Sequence, residues 1–206
     1  VCVSFTFYRY APHRAPPSFP TRLSSDLKIL DCATSLFASY GYDGTIMDDL
    51  AEQCGVNKAS IYYHHKDKAT LYENALTALF TPIADAVTEA VESERDPVKK
   101  LEVHIKTFAK ANADNPNFSA ILMREMASGG ANMPARAREQ MQRILFLLNK
   151  TLELGAAQKV FKSSDPLIIH FMIIGTVNLF VASIPLRNSL PETDRCNQLK
   201  NSDIES

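Results

Sequence analysis

Apolar residues recur at helical spacing along most of the chain, and short clusters of turn-forming residues cut the pattern into segments. Ile29, Ala33, Leu36 and Phe37 mark the buried stripe of a first helix, which Gly41 ends after Tyr40. Thr45 ahead of Ile46, Met47 and Asp48 reads as a capping-box-like start, with Asp48 in place of the usual Glu or Gln. That second helix turns Leu50 and Ala51 inward and ends near Cys54 and Gly55. Asn57 caps a third, over 58 to about 65. Asp67 caps a longer fourth, striped by Leu71, Ala75, Leu79, Ile83, Val87 and Val91, in which Pro82 predicts a kink or a split. Asp96 and Pro97 open a fifth helix bearing Leu101, Ile105 and Phe108, stopped by the turn formers at 112–117. A short sixth covers about 118–126 and closes at Gly129 and Gly130. Pro134 begins a seventh with Met141, Ile144, Leu148 and Leu152 inward, broken at Gly155. Ser164 or Asp165 with Pro166 starts an eighth, running to about 184. No strand run, repeat or low-complexity tract interrupts this series, and the fold class is all-α.

The eighth segment is apolar all round. Residues 167–184 carry no formal charge, which is the lower edge of a membrane span. His170, Thr176 and Asn178 interrupt it, and no basic cluster flanks it, so the pattern favours a helix buried in a subunit interface.

With 46% hydrophobic and 22% charged residues, the composition is that of an ordinary globular protein with ample core material. Cys2, Cys32, Cys54 and Cys196 form no C-x-x-C pair and no metal-ligand spacing with the histidines. A reduced, cytoplasmic protein is therefore expected, with no disulfide framework, metal or cofactor. Residues 1–27 stand apart from the rest. The first 25 hold no acid, three Arg and four Pro, without periodicity, and 18–27 read like the in-frame translation of a sequencing adapter. A non-native or disordered leader is expected there, with Asp26 belonging to it.

Two short helices joined by a tight turn, the second beginning near Asn57, suit the reading of DNA, because the major groove admits one helix whose first residues approach the bases. Lys58, Ala59 and Ser60 then stand near bases or phosphates, with Tyr62, Tyr63 and His64 on the next turn. Lys66 and Lys68 open the following helix, where phosphate contacts fix register. Net charge gives no support. Residues 25–70 hold four Lys and no Arg against seven acids, a net of −3, although three of the lysines cluster around the third helix. Weak, strongly salt-sensitive DNA binding is expected.

The run 41–45, then Asp49-Leu50-Ala51, the stretch 55–64 and Lys66-Asp67-Lys68 resemble the N-terminal domain of the TetR family of repressors, over about 28–75. The resemblance implies a homodimer, a variable C-terminal ligand-binding domain, and release from an operator when an effector binds. It assigns Lys58, Ala59, Ser60, Tyr62, Tyr63 and His64 to the recognition helix, and Thr45 and Lys68 to its phosphate-contacting ends. Two departures stand out. His65 occupies a position where the family has an apolar Phe, and the ninth helix that often completes the dimer bundle is expected to be missing.

The expected domains are thus a helix-turn-helix unit at 28–73, a helical effector-binding and dimerisation unit at 74–188, and a polar tail at 189–206. Pairing would run through the seventh and eighth helices. His104, Phe108, Phe118, Met123, Phe146 and Phe171 are candidates for an effector pocket, against a plain core reading in which His104 and His170 are satisfied polar groups. Glu125 would matter if buried. Two rival functions remain: a helical interaction protein that has lost DNA binding, and an enzyme. The second lacks any nucleophile elbow, zinc-helix motif or phosphate loop.

Overall fold

The computed structural model describes residues 22–189, so most of the expected leader and the tail after 189 lie outside the described residues. These residues form α1 (Arg22–Gly44), α2 (Met47–Gln53), α3 (Lys58–His64), α4 (Lys68–Ser93), α5 (Pro97–Asp114), α6 (Pro116–Ala127), α7 (Ala135–Ala157), α8 (Pro166–Ala182) and α9 (Ile184–Ser189). None of these helices is long and apolar enough to cross a membrane.

Local chemistry accounts for most of the boundaries. The side chains of Asn57, Asp67, Asp96 and Asp165 each accept backbone N–H groups at the start of their helices. Gly41 breaks the helical geometry of α1 at φ 75°, a conformation that favours glycine. Thr45 does not cap α2. Ile46 holds that position without a side-chain bond, and the Thr45 hydroxyl donates instead to the Gly41 carbonyl at 2.8 Å. Pro82 leaves α4 continuous. Gly155 does not end α7 either: the helix runs two residues further, and the Phe161 ring folds back so closely that a Cβ on Gly155 would stand 2.1 Å from it.

One continuous core joins the two ends of the molecule. Ile29, Phe37, Leu50 and Ile61 close the three-helix unit over Leu71 of α4. Phe37 meets the Tyr72 ring edge-on at 4.7 Å. Further along, α4 packs against α5 and α7, while α6 bridges α1 and α8. Phe108 and Phe118 lie in this core, and the Phe118 ring meets that of Phe80 at a tilt, with centroids 4.5 Å apart.

The expectation of reduced cysteines is overturned, and two further positions take a defined form. Cys32 of α1 and Cys54 at the end of α2 form a disulfide with Cα atoms 5.7 Å apart, because the packing of α2 on α1 brings together residues 22 apart in sequence. Asp26, at the end of the expected leader, lies within α1, and its Oδ1 stands 3.1 Å from Nε2 of the buried His65. His65 itself fills the apolar position as a neutral ring: burial holds its pKa below the ordinary value, and the Asn74 amide at 3.1 Å donates to Nδ1. The eighth segment, expected to run to about 184, ends at Ala182, and the six-residue α9 follows it.

Candidate nucleic-acid interface and ligand cavity

The interface is built on α3. Asn57 Oδ1 accepts the Ala59 N–H at 2.9 Å and fixes the first turn. Lys58, Ala59, Tyr62 and Tyr63 are spaced so that they share one side of the helix. Tyr63 is 66% exposed, whereas Ile61 on the opposite side is fully buried in the core. Ser60 is half-buried at the flank. His64 turns away from this face: its side chain is 9% exposed and lies 3.8 Å from Asp26. Thr45 is buried. Lys68 reaches back over the Tyr42 ring, 4.5 Å from its centroid, with Nζ 3.5 Å from the Asp43 carbonyl. Of the residues assigned to DNA from sequence, the structure thus gathers Lys58, Ala59, Tyr62 and Tyr63 on one outward surface. Of the others, Thr45 and Lys68 bond to the backbone at Gly41 and Asp43, while Ser60 and His64 lie off this surface.

Lys58 is already engaged, because its ammonium stands 2.6 Å from Asp48 Oδ1 of α2. That partner raises the Lys58 pKa above its ordinary value, so the group stays cationic. An ion pair this exposed contributes little to stability, but it competes with any phosphate for the same cation. Asp48→Asn is therefore expected to strengthen DNA binding at low salt. The plot of log affinity against log salt should steepen by about one, the value of one phosphate contact; an unchanged slope would show that Lys58 does not reach the backbone.

A cavity of about 220 Å³ lies between α6, α7 and α8. Leu122, Met123 and Met126 form one wall, Met141 and Leu145 a second, and Leu167, Phe171 and Ile174 a third. His170, Gln142 and Asn178 provide its polar groups. Met123 and Phe171 are the two sequence candidates that share this cavity. Phe108 and Phe118 are core, and Phe146 faces a separate groove with Lys100, Arg143 and Lys150 on the far side of α7. His104 is buried in α5 outside the lining, and its Nδ1 lacks a partner, contrary to the expectation of a satisfied group.

Sequence reasoning missed the connection between cavity and reader. Arg124 follows Met123 on α6, and its guanidinium donates to the carbonyls of Ala38 at 2.8 Å and Ser39 at 2.5 Å, at the end of α1. The neighbouring Glu125 is buried, accepting the Tyr72 hydroxyl of α4 at 2.6 Å and the Asn132 N–H at 3.3 Å. Burial, and then this carboxylate, push the Tyr72 pKa upward, so the phenol remains the donor. A charged pair set among apolar cavity residues was the available signal; its partners, far off in sequence, were not.

A helix-turn-helix reader joined to a helical domain with a cavity between its helices defines a DNA-binding regulator. Residues 29–75 match the family described as bacterial regulatory proteins, tetR family, and 94–181 match the tetracyclin repressor-like C-terminal domain. The chain belongs to the TetR family of transcriptional regulators. Its reader is similar to IcaR, the negative regulator of the biofilm operon icaADBC. Identity is 45% over 53 residues in Staphylococcus aureus, covering 26% of this chain and 28% of that protein. The Staphylococcus epidermidis protein is 40% identical over 58 residues, covering 28% and 31%. The match thus spans less than a third of these relatives. In fold, the chain is similar to the fatty acid degradation regulator FadR of Bacillus halodurans, with TM-score 0.66, 19% identity, and coverage of 91% and 93%. Bacillus subtilis FadR in complex with stearoyl-CoA gives 0.65 at 20% identity, covering 84% and 92%.

Proposed function

We propose that this chain is a homodimeric transcriptional repressor that leaves its operator when a small molecule enters the cavity of the C-terminal domain. The exposed face of Lys58, Ala59, Tyr62 and Tyr63 carries the reading, because a helix with a capped first turn presents these side chains together on one outward surface. They suit base edges and phosphates in a major groove. Thr45 and Lys68 brace the flanking phosphate-binding corner through Gly41 and Asp43.

Pairing through α7 and α8 follows from an inversion in α8. That helix buries the polar His170 and Asn178 while leaving Ile168, Met172 and Leu179 exposed on a common stripe. A second copy of α8 would cover the stripe, and two readers would then face successive grooves about 34–36 Å apart. Filling the cavity displaces α6, whose Arg124 and Glu125 hold the end of α1 and Tyr72 of α4. The spacing of the two readers changes and operator affinity falls, since only one state fits both half-sites. The acyl-CoA held by a fold neighbour is consistent with an apolar ligand body in a helical domain of this type. Tyr63→Ala is expected to weaken operator binding by about tenfold to a hundredfold without changing the circular dichroism or unfolding temperature. Unchanged affinity in a gel-shift titration at fixed salt would refute the assignment and favour a helical interaction protein.

A further inference from the structure

The cavity between α6, α7 and α8 has a chemical character that narrows its occupant. Its lining contains no Lys, Arg, Asp or Glu. His170 does not supply a charge, since burial holds its pKa below the ordinary value and the imidazole is neutral at physiological pH. One lining residue carries an unsatisfied polar atom. Asn178 is 1% exposed, and its Nδ2 donates to the Ile174 carbonyl at 2.7 Å. That bond settles the amide orientation and makes Oδ1 the acceptor, and Oδ1 has no hydrogen-bond partner. A buried acceptor without a donor is costly, and a ligand that supplies one recovers that cost on binding.

We infer that the cavity takes an uncharged, mostly apolar small molecule with a single hydrogen-bond donor, such as a hydroxyl on a hydrocarbon body, which donates to Asn178 Oδ1. The inference rests on the effector reading above for its biological sense, but not for its physical content. Methionines at positions 123, 126 and 141 give the walls an adaptable surface for the hydrocarbon. At about 220 Å³ the space exceeds the ~150 Å³ that admits a benzene-sized guest. An acidic or cationic head drawn inside would meet no counter-charge and lose its hydration.

The test compares four probes of one chain length on the full chain by isothermal titration calorimetry: 1-octanol, octanoate, octylammonium and octanoyl-CoA. Octanol is expected to bind saturably, with the three charged probes at least tenfold weaker. Asn178→Leu, which matches the side chain in size, is expected to lower octanol affinity about tenfold, the effect of one hydrogen bond. Its operator binding without ligand should stay intact, which verifies the fold. Equal binding of octanoate and octanol, no octanol binding, or an Asn178→Leu protein that binds octanol like the wild type would each overturn the inference. Saturable octanol binding that leaves the operator complex intact would support this ligand chemistry and refute the effector reading alone.

Discussion

Adding a reductant to the full chain is expected to lower its unfolding free energy by about 3 kcal/mol, the chain-entropy value for a cross-link closing a loop of this size. The Cys32–Cys54 bridge spans 22 residues and ties α1 to the last turn of α2. In a chain of this length such a loss corresponds to a fall in melting temperature of roughly 6–12 °C. The effect should concentrate in the reader, because Cys54 lies three residues before the cap of α3 and its N–H closes α2 on Leu50. Amide exchange in α2 and α3 should accelerate on reduction while α4 and α5 keep their protection. A Cys32→Ser/Cys54→Ser double variant should match the reduced protein with or without reductant. Equal melting temperatures for the oxidised and reduced wild type, with thiol alkylation confirming both states, would show that the bridge adds nothing.

That bridge also marks where sequence reading stops. Signals acting within one turn of helix were legible: Asn57, Asp67, Asp96 and Asp165 announce helix starts because a cap bonds to backbone only two or three positions away. Thr45 misled because its hydroxyl had two local choices, and packing under Gly41 decided between them. Signals that depend on which helix packs on which were not legible. The two cysteines, the Asp26–His65 approach and the bonds of Arg124 to α1 all join residues separated by at least 22 positions. The aromatic candidates divide in the same way. Helical spacing placed Phe108, Phe118, Phe146 and Phe171 on apolar stripes, but only the packing of α6 on α8 decides that Phe171 meets a cavity, and only the approach of α6 to α4 that Phe118 meets Phe80. For the reader, family resemblance supplied the residues, and the turn of α3 selected which of them face outward.

Acidification should weaken the protein well above the range in which carboxylates titrate. His104 is 1% exposed, its Nδ1 has no partner, and burial together with the neighbouring His170 pushes its pKa down to about 4. In the unfolded chain the same group titrates near 6.5. The native state therefore binds fewer protons than the unfolded state between these two values, and stability falls as pH drops through that window. Above about 6.5 the contribution is complete; by about pH 4 it is lost, a difference on the order of 3 kcal/mol at 1.36 kcal/mol per unit. Burial also depresses the pKa of His65 and His170, so both act in the same direction. Urea unfolding at pH 7.5 and pH 5.0 tests this while carboxylates remain mostly ionised. His104→Leu, which removes the titrating group but keeps an apolar side chain there, should erase the larger part of the pH difference. Were the variant to keep the wild-type difference, His104 would not be its source. The location of the loss is a second check. His104 belongs to α5 and His170 to α8, so protonating both sets like charges between the helices that α8 needs to hold its apolar stripe in place. Exchange protection should therefore fail in α8 at mildly acid pH before it fails in the disulfide-tied reader.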